Sequence, residues 1–138
     1  MVWQTRIPRS AIGRASTPYC MYTSTFTFAK GDFNDAFFAL DAEIAQIAQS
    51  IPGYLGEEAW ENTVSGLVSN VYYWETMEAL QTLVTHPAHI AAKVRQAQWL
   101  KGYQVVIAQV LRSYGDGQVA HPLAPSAAAP DAGKPLAT

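Results

Sequence analysis

The sequence predicts an α+β domain of about one hundred residues in the order strand, helix, strand, strand, helix, strand. Three observations predict this class. Residues near the start of the domain alternate between apolar and polar with a period of two, which is typical of a strand. Two later segments space their apolar residues three and four apart, as helices do. Between them, two runs rich in valine and tyrosine flank a short turn and predict a hairpin.

The first strand is predicted over residues 19–29, because Tyr22, Phe26 and Phe28 alternate with threonines. Lys-Gly-Asp at residues 30–32 breaks this alternation, and Asp32 is the predicted N-cap of a helix. That helix presents a single apolar stripe: Phe33, Phe37, Leu40, Ile44, Ile47 and Ile51. Pro-Gly at residues 52–53 is expected to end it.

The hairpin is predicted from strands over residues 54–62 and 67–74, joined by a turn at 63–66. Thr76 is the predicted cap of a short helix over residues 77–84. Pro87 interrupts this helix before a further helical stretch, which Gly102 is expected to end. The last strand is predicted over residues 103–114, and both of its faces are largely apolar.

This order of elements is the split βαβ pattern of ferredoxin-like domains, in which two helices cover one face of an antiparallel sheet. The other face would then expose Val106, Val110 and Tyr114 of the last strand. Exposed apolar sheet surface marks an interface, and a second copy laid face to face would cover it symmetrically. We therefore predict a homodimer; an arm or tail folded over the sheet is the alternative.

Composition divides the chain into an N-terminal arm at residues 1–18, a folded domain at 19–115 and a tail at 116–138 rich in alanine and proline. The tail buries too little side chain to offset the entropy of ordering it. Only 14% of the 138 residues are charged and the formal net charge is −2, so no nucleic-acid partner is expected. A single cysteine, no secretory signal and no apolar run of membrane-spanning length predict a cytoplasmic protein with no membrane contact.

The predicted third strand carries the residues best suited to a ligand site. Its period of two places Val68, Asn70, Tyr72 and Trp74 on one face, so that an amide, a phenol and an indole project together. Such a row can hold a flat aromatic ligand by stacking and hydrogen bonds. Alternatively, the two large rings belong to the core and the amide bonds to backbone.

His86 and His89 are the histidines of the predicted domain, three positions apart beside a helix turn. This spacing could present both to one metal ion, but no cysteine lies nearby and no further ligand is apparent. We predict no metal site and assign these histidines to capping or to lining a pocket. Either could also act as a base near neutral pH. His121 falls in the predicted tail and is given no role.

Four segments together resemble the antibiotic biosynthesis monooxygenase family. They are I-P-G-Y-L-G-E-E at 51–58, V-Y-Y-W-E-T-M-E-A-L at 71–80, H-P-A-H-I-A-A at 86–92 and V-V-I-A-Q-V-L-R-S-Y-G at 105–115. The resemblance covers residues 19–115 and implies a dimeric α+β barrel, in which two ferredoxin-like chains pack sheet to sheet. The family includes cofactor-independent oxygenases of polyketide quinols, quinol oxygenases and haem-degrading enzymes.

The resemblance also implies roles for individual residues. In the cofactor-free members, an Asn and a Trp four positions apart on the third strand contact the substrate, and Asn70 and Trp74 match them. A Tyr expected six positions after the Trp is Leu80 here. Haem-degrading members carry Asn, Trp and a ligating His where this chain has Ser24, Leu83 and Lys93. We therefore expect no cofactor, and haem binding through His89 is a lesser alternative.

The resulting hypothesis is a cofactor-independent monooxygenase that acts on a small aromatic molecule, a phenol, a quinol or a polyketide-like compound. Asn70 and Trp74 would hold the ring, and His86 or His89 would take a proton from it. Five further residues would line the pocket: Ser24, Phe37, Tyr72, Leu80 and Leu83. The alternative is a dimeric domain that binds such a ligand without turnover. An open cavity shared by Asn70, Trp74 and a histidine would favour the enzyme, whereas a pocket filled by Phe37 and the two leucines would favour a purely structural role.

Overall fold

The computed structural model describes residues 21–124 and shows the predicted order of elements, with the second helical region divided in two. β1 spans Tyr22–Lys30, α1 Asp35–Ser50, β2 Tyr54–Glu61 and β3 Leu67–Trp74. α2 then spans Met77–Val84, α3 Pro87–Trp99 and β4 Leu100–Gln109. The predicted arm at 1–18, residues 19–20 of the first strand and residues 125–138 of the tail lie outside the described residues. In the described part, no helix has the length and apolar character to cross a membrane.

The four strands form one antiparallel sheet in the order β2-β3-β1-β4, which is the ferredoxin-like topology predicted from the sequence. Antiparallel pairing places cross-strand partners on the same side of a sheet. Asn70 of β3, Phe26 of β1 and Val105 of β4 therefore form one row across it. This side also carries Val68 and Trp74, and we call it the helix-facing side. The opposite side is the outer face.

α1 begins later than predicted. The N-cap is Asn34 and not Asp32, because the Oδ1 of Asn34 accepts a hydrogen bond from the backbone N–H of Phe37 at 3.0 Å. Residues 31–34 lie outside the helix, and Gly31 packs against the backbone of Trp99. A Cβ at Gly31 would lie 2.2 Å from the carbonyl oxygen of Trp99. The chain must therefore pass the start of β4 before it can turn into the helix.

β4 also differs from the prediction at both ends. Gly102 does not end α3: the helix ends at Trp99 and the strand begins at once with Leu100, so that Gly102 lies within β4. The strand ends at Gln109, five residues before the predicted end at residue 114. Its partner β1 begins with Tyr22, opposite Gln109, and the backbone N–H of Val110 still donates a hydrogen bond to the carbonyl of Met21 at 2.8 Å.

One cluster of the hydrophobic core lies at one end of the helix-facing side, apart from the buried Phe28 and Val68. It combines residues from the second half of α1, the start of β2, the end of β3 and α2: Ala48, Ile51, Tyr54, Trp74, Ala79, Leu80 and Leu83. α2 is placed there by Thr76, whose side chain accepts a hydrogen bond from the backbone N–H of Ala79 at 3.1 Å, the cap predicted from the sequence. We call this cluster the closed end.

Candidate functional site

Trp74 belongs to the closed end. Its side chain has 0% exposure, and its indole Nε1 donates a hydrogen bond to Ser24 Oγ at 3.2 Å. Tyr72 stacks beside it, with ring centroids 6.1 Å apart and an angle of 13° between the planes. Leu80 and Leu83 are buried in the same cluster. Five predicted site residues thus lie together: Ser24, Tyr72, Trp74, Leu80 and Leu83. The Trp74 indole, which was expected to hold a ligand, is instead buried by side chains of the protein itself.

Away from the closed end, the helix-facing side is open along β4. Its floor is a set of residues from β1, β3 and β4: Phe26, Asn70, Tyr103, Val105 and Ile107. Although they point to the same side as the buried Trp74, Phe26 and Asn70 are only partly buried and the three β4 residues are about half exposed. The described helices therefore bury β3 near both of its ends, at Val68 and Trp74, and leave these β4 residues about half exposed. We call this floor the open end.

Asn70 carries the unusual polar atom of the open end. Its Oδ1 is buried and has no hydrogen-bond partner in the described part of the chain. A buried acceptor without a donor costs about 1–3 kcal/mol, so native proteins normally pair such atoms. Phe26 lies directly across from Asn70 in the sheet, which places an aromatic ring beside the amide. This pair can orient a flat ligand that carries a hydrogen-bond donor.

Tyr72 is held in its neutral form. Burial raises the pKa of its phenol well above the ordinary value, and the charge of Glu57 and a hydrogen bond to that carboxylate raise it further. A phenol in this environment keeps its proton throughout the physiological range. Tyr72 therefore cannot serve as a base, and the proton acceptor of any chemistry at this site must be another group.

The two predicted histidines have different environments. His86 is the N-cap of α3, and its Nδ1 accepts a hydrogen bond from the backbone N–H of Ala88 at 3.1 Å. His89 lies in the first turn of the same helix, and its Nδ1 is buried with no hydrogen-bond partner in residues 21–124. Burial lowers the pKa of His89 and the charge of Lys93 lowers it further, against a hydrogen bond with the backbone of Val84. His86 is thus committed to capping, and His89 is a neutral imidazole with an unused acceptor.

Phe37 belongs to an aromatic cluster at the start of α1. Its ring stacks on Phe33 with centroids 4.0 Å apart and meets the edge of Trp99 at 5.5 Å. Trp99 is 4% exposed, and its indole Nε1 has no partner in the described part of the chain. Sequence reasoning assigned no role to Trp99; the signal was Arg95 one turn earlier, whose guanidinium carbon lies 4.6 Å from the indole centroid.

A second cluster that the sequence did not predict lies on the outer face. The hydroxyl of Tyr73 donates a 2.6 Å hydrogen bond to the buried carboxylate of Glu58. The Nε2 of His121 lies 3.1 Å from that hydroxyl and 3.4 Å from Glu58 Oε1. Burial raises the pKa of Tyr73, and the bond to Glu58 raises it further. His121, placed in a tail by its alanine and proline neighbours, is part of this cluster, which we call the clasp.

Within residues 21–124, no group of three or more His, Cys, Asp or Glu side chains is arranged to hold a metal ion. Buried polar atoms without a partner in this part of the chain include the amide oxygen of Asn70, an imidazole nitrogen of His89 and the indole N–H of Trp99. They are suited to an organic ligand that exchanges hydrogen bonds and offers a flat apolar surface.

No protein-family model matches the sequence. The uncharacterized protein YqjZ of Bacillus subtilis is 33% identical to this chain over 97 residues, which are 69% of this chain and 82% of YqjZ. The relation therefore extends over most of both proteins.

Solved structures share the fold at much lower identity. Rv0793 of Mycobacterium tuberculosis has a TM-score of 0.59 at 14% identity, over 69% of this chain and 99% of its own. SnoaB, a cofactor-independent oxygenase from Streptomyces nogalater, has a TM-score of 0.57 at 11% identity, over 69% and 97% of the two chains. A Nitrosomonas europaea protein named for the antibiotic biosynthesis monooxygenases has a TM-score of 0.57 at 14% identity, over 73% and 100%. These likenesses confirm the ferredoxin-like fold.

Proposed function

This chain belongs to the family of the Bacillus subtilis protein YqjZ. It shares its fold with SnoaB and with a protein named for the antibiotic biosynthesis monooxygenases, and we propose that it oxidises a small aromatic molecule with molecular oxygen and no cofactor. The ligand is a phenol or a quinol bound at the open end. The observation that carries the proposal is the buried, unpartnered Oδ1 of Asn70 beside Phe26.

Asn70 fits a hydroxylated ring because of the atom that lacks a partner. An amide oxygen accepts a hydrogen bond, so the matching ligand group is a donor such as a phenolic hydroxyl. Phe26 on one side and Val105 beyond it supply an apolar floor for the ring. Trp74, the other residue suggested by the resemblance, supports this floor from the closed end through Tyr72.

This reaction requires few functional groups from the protein. A phenol or quinol that loses its proton becomes an electron-rich anion, which can pass an electron to O2. For an anthrone, the CH2 group of the central ring becomes a carbonyl with one oxygen atom of O2, and the other oxygen leaves as water with the two hydrogens. The residues then need only to bind the ring, take its proton and exclude water from the anion.

His89 is the base in this proposal. A base must be unprotonated before it reacts, and a lowered pKa keeps the imidazole neutral at physiological pH. Its buried Nδ1 has no partner among the described residues and so retains the capacity to accept a proton. His86 is less suitable because the corresponding nitrogen already caps α3.

The functional unit of the proposal is a homodimer. Val106 on the outer side of β4 is about half exposed, and the following segment exposes Leu111 and Tyr114. A second copy placed against the outer face would bury these side chains, which is the usual arrangement for an exposed apolar sheet surface.

A non-catalytic ligand-binding domain is the second candidate. It is favoured by the hydrogen bond between Trp74 and Ser24, which removes the indole donor from the site. With that donor used, the open end retains a binding surface but has fewer groups to stabilise a developing phenolate. Turnover distinguishes the two candidates.

The test is oxygen uptake by the purified protein with a panel of anthrones and quinols, compared with buffer alone. We expect turnover of at least one compound, and a loss of about tenfold or more in Asn70→Ala, since one hydrogen bond to a charged group contributes about 1.5–3 kcal/mol. Ser69→Ala is the matched control, because Ser69 is the next residue of β3 but lies on the outer face, bonded to Thr27. Binding of a panel compound without oxygen uptake would support the non-catalytic domain instead.

The pH profile tests the base. The lowered pKa of His89 means that its neutral form persists below the ordinary histidine range, so activity should fall only as the pH drops below about 6.5. His89→Gln should abolish this acidic limb and lower the rate near neutral pH. An unchanged profile in His89→Gln would exclude this residue as the base.

A further inference from the structure

The outer face of the sheet carries one charged residue among its paired strand positions. The registers place threonines of β1, serine and valine of β3, and valine and alanine of β4 on this side, together with Glu58 and Trp60 of β2. Val106 is 51% exposed and Trp60 is 61% exposed. Protein interfaces are depleted of charge at their centre, so this surface suits a second copy of the same chain better than a charged partner.

The clasp covers this one charged residue. Glu58 is 7% exposed, and the hydroxyl of Tyr73 donates a hydrogen bond to its Oε1 at 2.6 Å. The backbone N–H of Leu123 donates to the Nδ1 of His121 at 3.0 Å, so the ring hydrogen of the neutral imidazole lies on Nε2. This Nε2 is 3.1 Å from the Tyr73 oxygen and 3.4 Å from Glu58 Oε1. His121 therefore presents a donor to the buried Tyr73–Glu58 pair.

The segment that brings His121 to this position is held only at its two ends. Val110 is fixed by a backbone hydrogen bond to Met21, at the end of the sheet where β1 begins, and Tyr73 lies at the same end, two strands from β4. Two strand spacings are about 10 Å, whereas eleven residues can extend over about 36 Å. Every residue from 111 to 120 is exposed, and burial returns at His121 and Pro122. The cover over Glu58 therefore depends on the contacts of this last part of the segment.

We propose that His121 is the residue that permits self-association: by covering the Glu58 carboxylate, it makes the outer face a surface against which a second copy of this chain packs. Without His121, packing two copies face to face would bury two carboxylates that have each lost a donor. A buried charge whose hydrogen bonds are incomplete is costly, so the dimer would be weaker. The inference rests on the proposed homodimer and not on turnover.

The experiment measures the dimer dissociation constant of the full chain by sedimentation equilibrium, with circular dichroism as the check that each variant is folded. His121→Ala should raise this constant about tenfold or more, because a carboxylate in the interface loses a hydrogen-bond donor. Glu58→Gln should dimerise at least as tightly as the wild type, since the amide carries no charge and its oxygen still accepts from Tyr73. The double variant should match Glu58→Gln within about threefold, because no charge is then left to cover.

Glu61→Gln combined with His121→Ala is the matched control. Glu61 lies in the same strand as Glu58 but on the helix-facing side, bonded to Lys30, so its change should leave the loss in His121→Ala intact. An equally tight dimer in the wild type and His121→Ala, or a Glu58→Gln double variant as weak as His121→Ala, would show that His121 does not act through Glu58. A wild-type protein that is monomeric at every concentration would overturn the homodimer and this role of His121 together. Oxygen uptake tests the proposed catalysis separately.

Discussion

The closed end and the open end lie on the same side of the same sheet, yet their buried polar atoms differ in hydrogen bonding. At the closed end, α2 covers Trp74 and its indole N–H is paired with Ser24. At the open end, the described helices leave β4 about half exposed, and the Oδ1 of Asn70 is buried with no partner among residues 21–124. The distance between them is short, because Asn70 and Trp74 are four residues apart on β3.

This difference indicates that one end of β3 contributes to stability and another part of the same strand to ligand binding. A fully paired and buried residue contributes to the free energy of unfolding and has nothing left to offer a ligand. A buried but unpaired group costs stability, and such costs are concentrated at functional sites. Stability and ligand affinity should therefore respond in opposite ways to substitutions at the two ends.

Trp74→Ala should have the largest effect on stability. It removes the largest fully buried side chain and leaves a cavity beneath α2, which typically costs about 3–5 kcal/mol. Urea unfolding monitored by circular dichroism gives the difference in free energy. Trp60→Ala is the control, since this exposed indole should change stability by less than about 0.5 kcal/mol. Equal losses in the two variants would show that Trp74 is not a core residue.

Substitutions in the clasp test whether a buried polar group stabilises the fold because it is hydrogen-bonded, wherever in the sheet it lies. Tyr73→Phe removes the donor to the buried carboxylate of Glu58 and should cost about 1–3 kcal/mol. The raised pKa of Tyr73 means that folding favours the neutral phenol. Its contribution is therefore complete below the unfolded value of about 10 and is lost as the pH rises above it.

Unfolding measured from pH 8 to 11 checks both expectations. The wild-type protein should lose stability above pH 10, and Tyr73→Phe should lose less over the same range. Tyr103→Phe provides the control, because Tyr103 is about half exposed and lies on the helix-facing side away from Glu58. A steeper alkaline loss in Tyr73→Phe than in the wild type would contradict the assigned pairing.

The element order was predictable because it depends on local periodicity. The stripe of α1, the hairpin and the cap at Thr76 each depend on residues within about twenty positions of one another, and all three occur. The errors arise where distant contacts decide. Asn34 replaces Asp32 as a cap because Gly31 is held against Trp99, far away in sequence. β4 ends at Gln109, opposite Tyr22 of β1, a limit set by pairing with a strand far away in sequence.

The candidate site was predictable in its strand but not in its details. A period of two places Asn70 and Trp74 on one side, but it cannot show that α2 encloses one and leaves the other accessible. Similarly, composition placed His121 in a tail, because the contact with Tyr73 joins residues 48 positions apart. Trp99 was missed for the same reason, since its lack of a partner depends on how α1 and α3 meet.

Asn70→Leu should produce the smallest and most informative change in stability. Because Asn70 Oδ1 has no donor to lose, an apolar side chain of similar size should leave the free energy of unfolding unchanged or raise it by up to about 1 kcal/mol. Asn62→Leu is the matched control: the Oδ1 of Asn62 accepts hydrogen bonds from the backbone of Val64 and Ser65, so its loss should cost about 1 kcal/mol. The same Asn70→Leu protein should lose affinity for the anthrones or quinols that the wild-type protein binds. A variant that is both destabilised and unchanged in binding would place Asn70 with Trp74 in the core and erase the difference between the two ends.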